Sequence, residues 1–276
     1  MADQTILITG CSSGIGLSTA LDLKKRGYRV FAGARQATDV EKLQAQGFES
    51  VQLDVNNTHT MQTALDIILQ RTGGTLYALF NNAGYLQAGA IEDLTRDMLR
   101  AQFETNVFGA MELTRLVLPI MRKQGYGRII QNSSILGIIT LPYYGAYNGS
   151  KFALEGLSST LRQELRGTNI HVSIINPGPI ISKLRTNAYD RYQHTLKQQV
   201  NVHEEAYKKL EQSYFHPDEK NKKIMQHPDA VTKKIIHALE NANPKAHYYI
   251  GWPTKLMVFM KRILPDSAMD WILAKI

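Results

Sequence analysis

The chain has 276 residues, 43% hydrophobic and 20% charged, an ordinary globular composition with length for one large core or two small domains. A single cysteine, Cys11, excludes an internal disulfide framework and points to a reducing, cytoplasmic setting. The formal charge of +8 suits anionic cofactors, acidic carrier proteins or anionic lipid; the Lys and Arg residues are dispersed, so a solvated basic surface is expected and nucleic-acid binding is not.

The start, MADQTILITG, lacks a basic n-region followed by an apolar h-region, so no signal peptide is expected. No run of 18 uncharged apolar residues offers a membrane span. Short apolar segments then recur along the chain: TILIT (5–9), RVFAGA (29–34), SVQLDV (50–55), LYALFNNA (76–83), RIIQNSS (128–134), HVSIINP (171–177) and AHYYIGW (246–252). Near-continuous apolar runs suit strands buried on both faces of a parallel sheet. Helix-length segments alternate with them, beginning with GLSTALDLKKRG (16–27), where Lys24, Lys25 and Arg26 load the C-terminal end and Gly27 stops it. The alternation predicts an α/β domain with a doubly wound parallel sheet, a Rossmann architecture in a single domain.

The texture changes after Pro177-Gly178-Pro179. Residues 183–228 are polar, aromatic and basic, and are read as a lid-like insertion in which HEEAYKKLEQ (203–212) is helical. Helix PDAVTKKIIHALEN (228–241) follows. The last segment, 252–276, is apolar with basic edges and is broken by Pro265. Two dispositions are open for this amphipathic tail: it makes weak peripheral contact with a membrane or roofs an apolar pocket, or it packs on the core or a second subunit.

TGCSSGIG (9–16) follows a strand and opens a helix. Gly10 would permit a tight turn, Gly14 a close approach of backbone to a pyrophosphate, and Gly16 close packing of helix on strand. The spacing departs from the ordinary G-x-G-x-x-G fingerprint. Cys11, inside this loop, reads as a small filler. In YNGSK (147–151), Tyr147 and Lys151 share a helix face. An ammonium beside a phenol lowers the phenol's pKa, which suits general acid–base work at a carbonyl. The eight histidines show no ligand spacing, so no metal is expected, and His171, His216 and His227 read as structural or solvated.

These motifs occur in order with NNAG (81–84), NVFG (106–109), SSILG (133–137) and NPGPIIS (176–182). Together they resemble the short-chain dehydrogenase/reductase family over roughly residues 5–182 plus the final helix and strand. The resemblance implies Tyr147 as catalytic acid/base and Lys151 as the cation that lowers its pKa and holds the nicotinamide ribose. Ser134, thirteen residues before Tyr147, rather than Ser133, orients the carbonyl. Asn106 bends a helix and anchors a water-mediated proton relay. The cofactor cleft it implies comprises Gly10, Ser12, Ser13, Gly14, Ile15, Gly16, Asp54, Val55, Asn82, Ala83, Gly84, Pro177, Gly178, Ile180 and Ser182, together with Asn106, Tyr147 and Lys151. Asp54 would meet the adenine, although an acid at a strand end is often only a cap, and Ser182 replaces the family's usual threonine. A homodimer or homotetramer pairing through helices near 92–122 and 147–167 also follows from the resemblance.

NPKAHYYIG and the apolar tail look like the hydroxysteroid- and retinol-dehydrogenase-like subgroup, which includes bacterial NADP-dependent aldehyde reductases. An apolar carbonyl is therefore the expected substrate: an aliphatic aldehyde, retinal or a steroid ketone, with Leu141, Tyr143, Tyr144 and the lid supplying pocket wall. The alternatives are a 3-ketoacyl-carrier-protein reductase and a non-enzymatic NADP-binding redox sensor on the same fold. For the cofactor, the sequence FAGARQ (31–36) matters: Ala34 stands where NAD-specific relatives carry an acid, and Arg35 follows it. A guanidinium there can grip a 2′-phosphate bidentately, with Ser12 or Ser13 adding a hydroxyl, so NADP(H) is expected.

Overall fold

Alternate residues of the first strand enter opposite faces: Ile6 and Ile8 join one core layer and Leu7 the other, all fully buried. A strand covered on both sides is apolar along most of its length, as this first strand is, and seven parallel strands make the sheet. In the computed structural model, which describes residues 4–197, 202–215 and 224–275, these are β1 (Thr5–Thr9), β2 (Arg29–Ala34), β3 (Glu49–Gln52), β4 (Ala78–Asn81), β5 (Gly127–Asn132), β6 (Ile170–Pro177) and β7 (His247–Ile250). Their order is β3-β2-β1-β4-β5-β6-β7, with every pair parallel. The fold is the expected doubly wound α/β architecture. β1 pairs with both β2 and β4, so the winding reverses there and the loops after β1 and β4 flank a crevice.

One face carries α1 (Gly14–Lys25), α2 (Ala37–Ala45) and α9 (Pro228–Glu240), whose Leu23, Leu43 and Ile235 pack with the sheet. The other carries α3 (Thr58–Thr72), α5 (Gly109–Gln124) and the end of α6 (Gly145–Glu164), through Leu65, Val117 and Leu161. β3 and β4 stop before the ends of their apolar runs. β3 stops at Gln52, not Val55, because the Asp54 amide donates to Thr60 Oγ1 (3.0 Å) and turns the chain. β4 stops at Asn81, because the amides of Asn82 and Ala83 both donate to Thr9 Oγ1 at 2.9 Å. The expected long helix near 92–122 is also divided. α4 (Arg96–Phe103) passes through a π-helical turn, Glu104–Phe108, into α5.

Residues 183–228 contain α7 (Leu184–Thr195) and α8 (Glu204–Leu210), the latter ending in a second π-turn, Glu211–Phe215. Residues 198–201 and 216–223, His216 among them, lie outside the described residues. Polar as it reads, the segment buries Tyr192, Leu196, Tyr207, Leu210 and Phe215. Its tyrosines reconcile composition with burial, since each contributes a large apolar ring and a hydroxyl that can reach a partner. Tyr207 shows this: its hydroxyl donates to Asp93 (2.5 Å) and accepts from the Ala90 amide (2.9 Å). The tail forms α10 (Trp252–Ile263) and α11 (Asp266–Leu273), with Pro265 between them. Val258, Met269 and Leu273 are buried, so the inner face of the tail packs on the body of the protein. Among the described residues no helix is long and apolar enough to cross a membrane.

Candidate active site

The crevice begins with the loop between β1 and α1. Gly10 and Gly14 have φ of +71° and +59°, the left-handed region where a side chain costs energy. A Cβ on Gly16 would lie 2.4 Å from the Gly10 carbonyl oxygen and 2.6 Å from Asn82 Nδ2. Gly16 therefore lets the helix start close on its own loop and on the end of β4, rather than on a strand face. The first turn of α1 holds no acid, and Ser13, at its N-cap, makes no capping bond with its side chain. The N-terminal amides and the positive helix end thus face the crevice unopposed, which fits a pyrophosphate. Cys11 is fully buried, bonded to the Ile8 carbonyl at 3.2 Å, and burial pushes its thiol up to about 12, so it is the filler the sequence suggested.

Other expected cofactor residues gather around this loop. Asn82 donates to the carbonyls of Thr9 (2.8 Å) and Gly10 (3.2 Å) and accepts from Asn132 Nδ2 (3.0 Å), so its amide braces the loop. Ala83 continues the bracing through Thr9, and Gly84 is exposed with Asn106 Oδ1 beside it. Ser182 packs its Cβ 3.2 Å from where a Gly14 side chain would begin, which brings the segment after β6 against the glycine loop. Pro177 ends β6, Gly178 abuts Thr254, and Ile180 pairs with Gln226 and packs with Ile15 in the same core layer. Arg35 is exposed at the end of β2, beside buried Ala34.

Asp54 and Val55 follow β3. The Asp54 carboxylate accepts the Asn56 amide at 3.0 Å, the capping role that its place at a strand end suggested. Val55 is buried in the core layer under α5, and its carbonyl lies 2.2 Å from where a Cβ on Gly109 would sit.

The second half of the site is built on α6. Tyr147, Ser150 and Lys151 are buried. Lys151 Nζ donates to the Asn132 carbonyl (2.7 Å) and lies 5.5 Å from the centroid of the Tyr147 ring. Ser134 caps the short helix Ile135–Gly137, accepting from the Leu136 amide at 3.1 Å, which leaves its own proton to give. The Ser134 hydroxyl near the Tyr147 phenol favours its ionised form. Ser133, by contrast, points toward Gly137 and Glu155. Burial outweighs the serine's effect, so the Tyr147 phenol is held above its ordinary value rather than below it. Burial likewise lowers Lys151 to about 8, and the negative charge of Glu155 opposes that drop.

Asn106 sits in the π-turn, which is the helix distortion expected of it. Its Oδ1 accepts the Tyr85 amide (3.1 Å), and its Nδ2 donates to the Tyr85 carbonyl (3.0 Å) and Ser150 Oγ (3.1 Å). The side chain thus ties the loop after β4 to α6 one residue before Lys151.

Glu155 escaped the motif reading. It lies one helical turn beyond Lys151, accepts from Asn176 Nδ2 (2.5 Å) and stands 3.5 Å from His247 Nδ1. Burial raises its carboxyl pKa. The signal was present as Tyr147, Lys151 and Glu155 at successive i, i+4 positions of one helix.

Above the serine, tyrosine and lysine, an apolar cluster contains Tyr144, Tyr147, Tyr192, Tyr207 and Phe215 together with Met269 and Leu273 of the tail. Tyr143, at its edge, has φ of +67°. A bulky residue held there stores on the order of 1–3 kcal/mol of strain, as ligand-contacting loops often do.

Residues 4–193 match the family model described as short chain dehydrogenase. The chain is 39% identical over 270 residues to the uncharacterized oxidoreductase YbbO of Escherichia coli strain K12, covering 98% of this chain and 94% of that one. It is 33% identical over 282 residues to 17-beta-hydroxysteroid dehydrogenase type 6 of Rattus norvegicus, covering 99% and 88% of the two chains. Among solved structures, a short-chain dehydrogenase from Streptomyces avermitilis superimposes with a TM-score of 0.78 at 26% identity, over 99% of this chain and 94% of that one.

Proposed function

Because the chain belongs to the short-chain dehydrogenase/reductase family, and is therefore an oxidoreductase of that class, we propose that it reduces an apolar aldehyde or ketone to the alcohol with NADP(H). The observation that carries this reading is the buried row Ser134, Tyr147 and Lys151 opening onto an aromatic cluster. Polar groups that can handle a carbonyl oxygen sit at the base of an apolar surface, and that combination selects a substrate with one polar end. The name of the rat relative, which refers to a hydroxysteroid, supports an apolar ring or chain as that substrate.

The residues then divide the work. A bound nicotinamide supplies the hydride to the carbonyl carbon. Ser134 and Tyr147 donate hydrogen bonds to the carbonyl oxygen, where negative charge grows. Tyr147 passes its proton to that oxygen, and the Lys151 cation stabilises the phenolate left behind. The burial that raises Tyr147 keeps it protonated at neutral pH and ready to donate. Arg35, beside uncharged Ala34 at the end of β2, supports NADP(H) over NAD(H). A dimer through α5 and α6 is part of the proposal, supported by exposed Phe108, Phe152 and Leu157 on that side.

The test is NADPH oxidation with decanal, retinal, a 17-keto steroid and an acetoacetyl thioester, alongside Tyr147→Phe. At least one apolar carbonyl should be turned over faster than the thioester. The variant should lose turnover while NADPH affinity, read by fluorescence, stays within about twofold, since only the proton donor has been removed. Activity surviving in Tyr147→Phe would refute the mechanism; turnover of the thioester alone would refute the substrate class.

A further inference from the structure

The outer face of the tail exposes large apolar side chains. Trp252, Leu256, Phe259 and Ile263 recur at i, i+4, i+7 and i+11, one stripe along α10. Trp252, Phe259 and Ile263 are 68%, 60% and 61% exposed, and Trp271 of α11 adds a further ring at 64%. Lys255 and Arg262 run along one edge of the stripe, seven residues apart. At the N-terminal end of α10 lies a surface pocket of about 290 Å³ lined by Lys233 and Lys234 of α9, Lys255 and Trp252. Lys233 has a loose partner in Asp229 at 3.7 Å, while Lys234 and Lys255 have no carboxylate within salt-bridge reach among the described residues.

We infer that this face docks on an anionic phospholipid surface, with the α10 stripe entering the headgroup boundary and the three lysines holding a headgroup phosphate. Neither half of the site is explained without the other. An apolar stripe rimmed by Lys and Arg, with tryptophan at the edge, matches the interfacial layer of a bilayer, which is apolar beneath and negative above. A second copy of this chain fits less well, since it would set three lysines against a chain whose own net charge is +8. The inner face of the same two helices supplies Met257, Met260, Met269 and Leu273 to the cluster that contains Tyr147. The docked face is therefore the outside of the wall next to the catalytic side chains. This inference is independent of which carbonyl is reduced.

The experiment is flotation of the full chain, without cofactor or substrate, on vesicles of phosphatidylcholine alone or with 40% phosphatidylglycerol. The protein should float with the anionic vesicles at low salt and be released by 0.5 M salt. K233Q/K234Q/K255Q should weaken that binding on the order of a hundredfold, given the usual worth of a lysine near an anionic surface. W252S/F259S should reduce it at low salt as well. All substituted positions are exposed, so both variants should keep the wild-type melting curve. Failure of the wild type to float at low salt overturns the proposal, as does equal binding to neutral vesicles or by the lysine variant. Unchanged flotation of W252S/F259S, with a smaller species by light scattering, overturns it too and assigns the face to a second copy. Loss of flotation leaves the carbonyl-reductase reading intact, because NADPH oxidation with soluble decanal is measured separately.

Discussion

At the scale of the residue, the site depends on where charge is placed rather than on which motif is present. Lys151 is buried and its pKa falls to about 8, with Glu155 as the anion that resists the fall. In Glu155→Gln the opposing charge is gone, so Lys151 should lose its proton at lower pH. The basic limb of the kcat profile should move toward acid relative to a wild-type limb near pH 8, with KM for NADPH little changed. Glu155→Asp should restore part of the shift. An unmoved limb would mean that Glu155 only packs against Asn176 and His247. Arg35 is the other residue whose charge decides an outcome. Arg35→Asp places a carboxylate where a 2′-phosphate would lie, so kcat/KM for NADPH over NADH should fall by at least tenfold. An unchanged ratio would return Arg35 to being a solvated charge at a strand end.

At the scale of the element, glycines and helix distortions set the distances. Gly16→Ala puts a carbon 2.4 Å from a backbone oxygen that cannot swing aside. The overpacking should cost about 1–3 kcal/mol of stability, seen as a lower Tm, together with weaker binding of NADPH as the helix start is pushed out. Normal Tm and normal affinity would show that the loop yields freely. The π-turn at Glu104–Phe108 serves a similar end: it lets Asn106 reach Tyr85 and Ser150 together, tying a strand-end loop to the helix that carries Tyr147 and Lys151. Motif order in the sequence located both features, but not what they touch. Gly16 meets its own loop and Asn82, which a local reading of helix and strand does not foresee.

At the scale of the whole molecule, the sheet has its topological switch at β1, where the glycine loop lies, and the aromatic cluster includes Tyr147 of α6. Phe152 and Leu157 are exposed on α6, one of the helices of the proposed dimer contact. F152D/L157D should therefore yield a smaller species by light scattering, with the monomer's Tm at or below that of wild type. No change in mass would place the subunit contact elsewhere.

The periodic apolar runs sufficed for a parallel, doubly wound sheet, because a strand buried on both faces has no freedom to be polar. The ordered motifs pointed to Ser134, Tyr147 and Lys151, and local spacing alone puts two of them on one helix face, where Lys151 lies 5.5 Å from the Tyr147 ring. Three matters needed the tertiary structure. Val55 is engaged in the core, because its contact with Gly109 at the start of α5 joins parts of the chain that no local pattern brings together. The direction of the Tyr147 shift follows from burial under residues as distant as Tyr192 and Leu273, and desolvation depends on everything packed around a group. Residues 183–228 read as polar, yet their described rings pack in the cluster that contains Tyr147. Whether a tyrosine is surface or core is decided by what meets its ring and its hydroxyl, and those partners come from other parts of the chain.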